Sequence, residues 1–444
     1  MSSSVGGIHE TGYTAPYSGF TAPANGSGPN SIFSPGHSFT QVYDSGSCET
    51  NGMTAGCPSG RCGSQGYLSF DTSITEPLLD FQNRQSDKEL LLVIPGSPCT
   101  TSPSVVVGGQ MRVSGMAAAV TRPGKFSYLG RFPPDFTGNA ATDFRMTQAN
   151  AAGIVHFNTW AHGYAETLFS DVFTFPDFKQ GSFQMRQAYV AFGDLTQSPW
   201  YAFIGKKNVS FGDMGTLSPY SQSVVWHYFA PLAEGAGIGY ATDGFNASVT
   251  ALNGSRGIRV ADSEQRGHIN NFAANARYQW PVAPDSWIAI GGGYLHGTIY
   301  DAAIAEHLNP AVSGDMNGAV DFNLASKFGP WRIEYEMVTT MRSWPATDRR
   351  VVAYRAETAY DTIWNNHPLR ISGSWSEGKQ GPAGSQFEFN QQAVLGLRYD
   401  PHPNVMLSLE YIRSMGFAPL LDITTVSDRS AAQDTVLLGI VLNI

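Results

Sequence analysis

The segment WRIEYEMVTT, residues 331–340, has two faces of opposite character. One set of alternate positions is mostly apolar and aromatic, with Trp331, Ile333, Tyr335, Met337 and Thr339. The positions between them carry three charges, on Arg332, Glu334 and Glu336. Successive side chains of a β-strand point to opposite faces, so the segment predicts a strand with one apolar and one charged face. The fold depends on what the apolar face contacts.

The same alternation recurs from about residue 104 to the end of the chain. Clear examples are residues 271–280, 319–328, 369–375, 386–399 and 405–411. Their apolar sets begin or end in an aromatic residue, at Trp280, Phe328, Trp331, Trp375, Tyr399 and Tyr411. Apolar stripes with aromatic ends are typical of a lipid-facing band between two aromatic girdles. We therefore predict that the apolar face contacts lipid and that the polar face lines a lumen.

The composition agrees with a membrane barrel and excludes other classes. Charged residues make up 14% of the 444-residue chain, against about 25% in a typical soluble domain. No apolar run approaches the roughly 20 residues of a transmembrane helix. The net charge is -9 and basic residues do not cluster, so we predict no nucleic-acid partner.

Short and long connections alternate between the predicted strands. Residues 193–199, 241–245, 327–331 and 399–404 are short turns, whereas 121–145, 207–234, 253–267, 299–315 and 414–432 are long. This pattern is typical of up-and-down outer-membrane barrels. We predict an all-β fold, a transmembrane antiparallel β-barrel of about 16 strands over residues 101–444. A soluble sandwich or propeller is the alternative, and no blade-length repeat favours it.

Residues 1–100 form a low-complexity N-terminal extension, predicted to be periplasmic or plug-like. Gly, Ser, Pro and Thr dominate residues 1–66, and residues 67–100 could form a short helix and a strand. All four cysteines, Cys48, Cys57, Cys62 and Cys99, lie here. Their even number favours two disulfides, with three possible connectivities, over free thiols or a metal site. We predict no metal and no cofactor.

One stretch carries a family resemblance. Residues 183–216, FQMRQAYVAFGDLTQSPWYAFIGKKNVSFGDMGT, resemble the outer-membrane porin superfamily, and within it most resemble the LbtU-type siderophore porin family. The specific match continues to residue 240, about 60 residues in all, and phosphate-selective porins are more distant relatives. The chain departs from the family in lacking an N-terminal coiled coil. It also ends in Ile444, where such barrels usually end in Phe or Trp.

The resemblance implies that the connection 207–234 folds into the barrel and narrows it. Its apolar content, unusual for a solvated surface loop, agrees with this. We predict that the constriction contacts the solute through Lys206, Lys207, Asp213 and His227. The alternative for the two lysines is an interfacial position at the end of a strand.

Charges of both signs are predicted to line the lumen. They are Arg186, Arg277, Asp321, Lys327, Arg332, Glu334, Glu336, Arg355, Glu357, Arg370, Glu388, Arg398 and Glu410. Because basic and acidic members are interleaved, they predict ion pairs between neighbouring strands. A transverse field that orients polar solutes is the functional alternative.

The predicted function is a porin of the bacterial outer membrane for the diffusion of small polar solutes. The resemblance adds uptake of a ferric siderophore. The alternatives are an anion- or phosphate-selective porin, and a surface β-protein whose loops bind a partner. No GxSxG or HExxH motif is present, so we predict no enzyme activity. The expected partners are outer-membrane lipid and a small polar or anionic solute, with the chain as a monomer or homotrimer.

Overall fold

The computed structural model describes residues 68–94, 103–125, 137–170, 182–254, 268–301, 316–385, 387–416 and 428–444. An N-terminal part of the described chain contains β1 (Leu68–Phe70), α1 (Thr72–Leu79) and α2 (Leu90–Val93). The first strands of the main sheet are β2 (Ser104–Val120), β3 (Ala140–Asn158), β4 (Ala161–Ser170), β5 (Ser182–Phe192) and β6 (Trp200–Asn208). Helix α3 (Val224–Phe229) follows β6. The remaining strands are β7 (Leu232–Thr242), β8 (Phe245–Asn253), β9 (Ile269–Ala283), β10 (Ser286–Leu295), β11 (Ala319–Phe328), β12 (Trp331–Thr340), β13 (Val352–Trp364), β14 (His367–Lys379), β15 (Asn390–His402), β16 (Val405–Gly416) and β17 (Asp428–Asn443).

Strands β2 to β17 form a closed antiparallel barrel of sixteen strands. Each strand pairs with its neighbours in the chain, and β17 closes the sheet against β2, with Val436 opposite Ala117. The connections at one end of the barrel are short, such as 329–330, 365–366 and 403–404, and those at the other end are long. The sequence prediction of an up-and-down barrel of about sixteen strands is confirmed.

The apolar face of the barrel points outward. Trp331 and Ile333 are each 50% exposed, whereas Arg332 and Glu334 are each 8% exposed. The same alternation exposes a band around the sheet that includes Phe322, Leu324, Ile371, Trp375, Leu395, Leu438 and Ile440. Near the short connections, ring pairs such as Trp331 with Tyr360 border this band, with centroids 4.9 Å apart. An exposed apolar band with an aromatic border is the surface that a transmembrane barrel presents to lipid.

One strand begins later than its alternation predicted. The strand predicted over 385–399 begins at Asn390, because Pro382 and Gly384 (φ 85°) turn the preceding chain away from the ladder. Glu388 therefore lies in the connection, where it pairs with the exposed Arg429 at 2.8 Å. Its predicted place on the lumen wall is wrong.

Residues 68–94, which we call the N-terminal segment, pack against the inner face of the barrel. Strand β1 pairs in parallel with β2, and α1 begins at Asp71, whose carboxylate accepts a hydrogen bond from the Ser73 N–H at 2.9 Å. Apolar residues of α1 and α2 form a buried cluster with wall residues Ile154, Tyr164, Tyr189, Tyr201 and Phe203. The inner face is therefore apolar on the part of β3 to β6 that this segment covers, and polar on strands such as β12 and β13. No helix in the described ranges is long and apolar enough to cross a membrane.

Candidate pore and the segments that fill it

The connection between β6 and β7, residues 209–231, contacts the inner wall of the barrel; we call it the inner loop. Its first attachment is Glu336 on β12. The Glu336 carboxylate accepts hydrogen bonds from the N–H groups of Asp213 at 2.6 Å and Met214 at 3.0 Å. Met214 has a φ of 58°, and this turn of the backbone brings two successive N–H groups to one carboxylate. A wall glutamate thus holds the loop through its main chain.

Two more wall glutamates bind the loop in the same way. Glu357 on β13 accepts from the Thr216 hydroxyl at 2.8 Å and the Leu217 N–H at 2.5 Å. Glu410 on β16 accepts from the N–H groups of Tyr220 at 2.5 Å and Ser221 at 3.0 Å, and from the Ser221 hydroxyl at 2.5 Å. Hydrogen bonds to a buried carboxylate are among the stronger ones in proteins. Glutamates on three strands therefore fix the path of the inner loop along the wall.

Glycines on the wall make room for this path. A Cβ atom at Gly396 on β15 would overlap the ring of Pro219, and one at Gly439 on β17 would overlap the ring of Tyr220. The Tyr220 hydroxyl lies 2.7 Å from the Thr147 hydroxyl on β3. The loop thus extends along the wall from β12 to β3 across the sheet closure, and its close approach requires glycine at these positions.

Arg355 on β13 lies at the centre of a buried ion cluster. Its guanidinium contacts Glu336 at 2.8 Å, Glu334 at 2.8 Å, Glu357 at 3.0 Å and Asp213 at 3.1 Å. Two of these pairs join β13 to β12, which is the pairing between neighbouring strands that the interleaved charges predicted. The Asp213 pair joins the wall to the inner loop.

The N-terminal segment also contacts the inner loop. Arg84 contacts the Asp213 carboxylate at 3.2 Å, and the Gln85 N–H donates to the Asp213 carbonyl at 2.9 Å. The Ser86 hydroxyl donates to the Gly212 carbonyl at 2.6 Å. Further along, the Gln82 side chain donates to the Ser218 carbonyl at 2.7 Å. Segment and loop thus contact each other inside the barrel, where the inner loop is buried throughout and the segment is buried at residues 78–82 and 85–90.

The predicted constriction residues lie in four different environments. Lys207 is 3% exposed and forms an ion pair of 2.6 Å with Glu89 of the N-terminal segment. Asp213 is held between Arg84 and Arg355. Neither residue carries a free charge toward a solute in this conformation, so their contact with a solute stays a prediction.

The other two predicted constriction residues are also displaced from a passage. Lys206 lies on the outer face of β6, with Trp200 and Ile204, because it alternates with the inward-facing Lys207. His227 lies in α3, buried, with its ring 5.1 Å from that of Trp226. Lys206 is thus placed as in the interfacial alternative, and contact of either residue with a solute in the lumen is not supported.

A row of basic side chains lies near the short connections. Arg332 on β12 and Arg370 on β14 both contact Asp361 at 2.7 Å, and Arg398 on β15 contacts Asp400 at 2.9 Å. Arg370 and Arg398 are directly opposite each other in the β14–β15 ladder. With the partly buried Lys327 on β11, the row has four basic side chains. Besides Asp361 and Asp400, Asp285 interacts electrostatically with Lys327 and Glu76 of α1 with Arg398, so basic and acidic groups around the row are equal in number.

The remaining predicted lumen charges face inward as expected. Of the thirteen predicted, all except Lys327 and Glu388 are buried. Arg186 contacts Glu166 at 3.3 Å, and its guanidinium lies 3.7 Å from the centre of the Phe81 ring. The four cysteines lie outside the described residues, so their disulfides stay a prediction.

The sequence reasoning missed the partners in the N-terminal segment. Arg84, Asp87, Lys88 and Glu89 occupy buried positions inside the barrel. Burial lowers the pKa of Lys88 to about 8, and its ammonium donates to the Leu78 carbonyl at 3.1 Å. A high local charge density could have indicated these buried partners. Residues 80–89, DFQNRQSDKE, carry five charged side chains, whereas 14% of the whole chain is charged.

Comparisons with known proteins bear on the barrel. No family model matches the sequence, and no curated protein matches it. OprB of Pseudomonas putida matches with a TM-score of 0.52 at 9% identity, over 76% of this chain and 94% of that one. The fold is that of the outer-membrane porins. The predicted location in the bacterial outer membrane agrees with this fold and with the exposed apolar band.

Two further solved structures are similar at lower scores. The outer membrane channel DcaP of Acinetobacter baumannii has a TM-score of 0.48 and 13% identity, over 77% of this chain and 97% of that one. An anion-selective porin from Comamonas acidovorans has a TM-score of 0.49 and 10% identity, over 77% of this chain and 100% of that one. Identities this low show only the fold, and the LbtU-type family stays a prediction.

Proposed function

We propose that this chain is an outer-membrane channel for small polar solutes. The observation that carries the proposal is the closed barrel whose exposed face is an apolar band and whose inner face is lined with charged and amide side chains. Such a wall provides hydrogen-bonding and charged groups along a path through the membrane, where an apolar wall would exclude polar solutes.

The inner loop and the N-terminal segment cover part of the inner wall. Wall residues there, such as Glu336 and Glu410, are fully buried behind the loop, and Asp80 and Glu89 of the N-terminal segment are equally buried. Movement of the segment, the loop or both would widen the path of a solute and expose these carboxylates to it. The inner loop is held by hydrogen bonds to wall side chains, so it can move without breaking the ladder of strands β2 to β17. The N-terminal segment would lose its apolar cluster with the wall and, if β1 moves too, the pairing of β1 with β2.

The test is single-channel current in planar bilayers. The full chain is compared with a variant in which residues 213–226 are replaced by a short Gly–Ser linker. This change removes the contacts to Glu336, Glu357 and Glu410 together with those to the N-terminal segment. We expect the barrel to assemble and the conductance to rise several-fold, because the narrowest section limits the current. Absence of current from both proteins would refute the channel.

For the solute, the three arginines of the row near the short connections support anions as a second candidate. Arg332, Arg370 and Arg398 lie on the inner wall, and charges beside a narrow passage are poorly screened. The reversal potential of the linker variant in a KCl gradient tests this. A potential that shows cation preference would contradict it.

Uptake of a ferric siderophore, as a finer proposal, rests on the resemblance of residues 183–240 alone. It predicts that the purified chain in liposomes accumulates a ferric hydroxycarboxylate faster than the iron-free chelator. Equal rates would leave general diffusion as the function. The assembly, a monomer or a homotrimer, stays a prediction that cross-linking in the membrane can test.

A further inference from the structure

We propose that Glu89 occupies a solute-binding site on the barrel wall, and that the natural occupant is an amphipathic carboxylate with an aromatic or aliphatic body. The site consists of Lys207, Phe203, Tyr201 and Tyr189, and we call it the Lys207 cradle. The inference rests on the proposed channel function, since it names the class of solute that the channel takes. The N-terminal segment is then a built-in competitor for that solute.

The cradle combines one cation with an apolar surface. The Lys207 ammonium lies 2.6 Å from the Glu89 carboxylate and 4.1 Å from the centre of the Phe203 ring. Phe203, Tyr201 and Tyr189 belong to the same buried cluster as Leu90 and Leu92, which follow Glu89 in the segment. The wall thus receives a carboxylate and, directly beside it, apolar side chains. A solute with these two parts in the same order would fit the same surface.

The cation is available only if the segment leaves. In the described part of the chain, Glu89 is the one carboxylate in ion-pair contact with Lys207, whose other polar contact is the Ser210 hydroxyl at 3.3 Å. The wall carboxylates of Glu357 and Glu410 are bound by the inner loop, and that of Glu166 by Arg186. Departure of the segment would leave a buried lysine without a counter-ion, and an anionic solute would compensate it.

The Glu89 carboxylate has few hydrogen bonds in the Lys207 cradle. It is fully buried, and neither carboxylate oxygen has a hydrogen bond beyond the ion pair with Lys207. A buried ion pair with incomplete hydrogen bonding gains little over its desolvation cost. The segment is therefore bound at this point by a contact that a competing anion can replace.

The segment also has a route out. Its first strand pairs with β2 beside the short connections, and its far end returns to the same side, where the Leu195 N–H donates to the Val93 carbonyl at 3.1 Å. Both ends of the segment thus lie near the end of the barrel that carries the short connections. It can withdraw toward that end as a loop, without threading through the barrel.

Binding of benzoate to the detergent-solubilised full chain tests the cradle without requiring conduction. Equilibrium dialysis would compare benzoate with benzylammonium and benzyl alcohol, on the wild type and on Glu89→Gln, Lys207→Gln and Lys206→Gln. Lys206 is the matched control, since it precedes Lys207 but lies on the outer face. We expect benzoate alone to bind, about tenfold more tightly to Glu89→Gln because the competing charge is gone, and about tenfold more weakly to Lys207→Gln. Lys206→Gln should match the wild type.

The double variant Glu89→Gln/Lys207→Met guards against misfolding, because it removes both members of the buried pair together. It should stay folded by heat-modified gel mobility and lose the benzoate binding that Glu89→Gln shows. Any of three results would overturn the cradle: Glu89→Gln and the double variant bind benzoate equally, benzylammonium binds as tightly as benzoate, or Glu89→Gln binds no benzoate. Current with no benzoate binding would refute this inference alone, and binding without current in any variant would refute the channel alone.

Discussion

Replacement of Glu410 by Gln should free the inner loop from one of its three attachments. Glu410 is fully buried and accepts three hydrogen bonds, from the Tyr220 N–H and from the N–H and hydroxyl of Ser221. Glutamine has the same shape, but its amide has no charge and presents an NH2 group to donors. Both loop N–H groups donate to the same carboxylate oxygen, so the amide oxygen can still accept from them while the NH2 group donates to the Ser221 hydroxyl, and all three bonds lose their charged partner.

The size of the effect follows from the contacts that are lost. A hydrogen bond to a charged group contributes about 1.5–3 kcal/mol and a neutral one about 1 kcal/mol, so each of the three bonds weakens by about 1 kcal/mol. We therefore expect the free energy of local opening around Tyr220 to fall by about 3 kcal/mol, which increases the open population about a hundredfold. The barrel ladder is untouched, so the melting temperature of the whole barrel should change little.

Hydrogen exchange measured by mass spectrometry on peptides that cover residues 217–223 would report this opening. The matched control is Glu388→Gln, because Glu388 pairs with Arg429 on the surface and has no contact with the loop. Exchange in the Glu410 variant should be about a hundredfold faster than in the control. Equal exchange in the two variants would refute the assignment of the wall glutamates as loop attachments.

Three further predictions address the lipid-facing band, the N-terminal segment and the cysteines. Leu395→Arg, in the exposed band, should lower the free energy of unfolding by about 2–4 kcal/mol, whereas Ile363→Arg, beside a short connection, should lower it by only about 0–1 kcal/mol. Urea titrations of the two variants in vesicles measure this difference, and equal values would contradict the lipid-facing band. Burial lowers the pKa of Lys88 to about 8, against an ordinary value of 10.5. The released segment therefore binds more protons than the docked one, and docking should strengthen as pH rises from about 8 to 10.5. Single-channel open time should fall over this pH range, and Lys88→Met should remove this pH dependence. Alkylation under non-reducing denaturing conditions should find no free thiol among the four cysteines, and two or more labelled thiols would contradict the predicted disulfides.

The sequence by itself determined the barrel. Alternation such as that of WRIEYEMVTT is set by the two-residue period of a strand, and the aromatic ends of its apolar stripes indicated which face meets lipid. Both signals are local, so they can be read one strand at a time. These signals cannot assign the faces of a strand that is apolar on both sides. Strand β6 has Trp200 and Ile204 on its outer face and Tyr201 and Phe203 on its inner face, so polarity does not distinguish the two.

Only the tertiary structure decided what the inward-facing residues contact. The sequence places Glu336 and Glu410 on the inner wall, but each binds backbone groups more than 100 positions away in the chain, and Lys207 pairs with Glu89 over a similar separation. No local period records that Glu89 reaches Lys207, or that Gly396 and Gly439 are small because Pro219 and Tyr220 pass over them. These contacts exist because barrel closure brings distant strands around one lumen, where the N-terminal segment and the inner loop meet the wall. Closure is a property of the whole sheet, and the sequence of any one strand does not contain it.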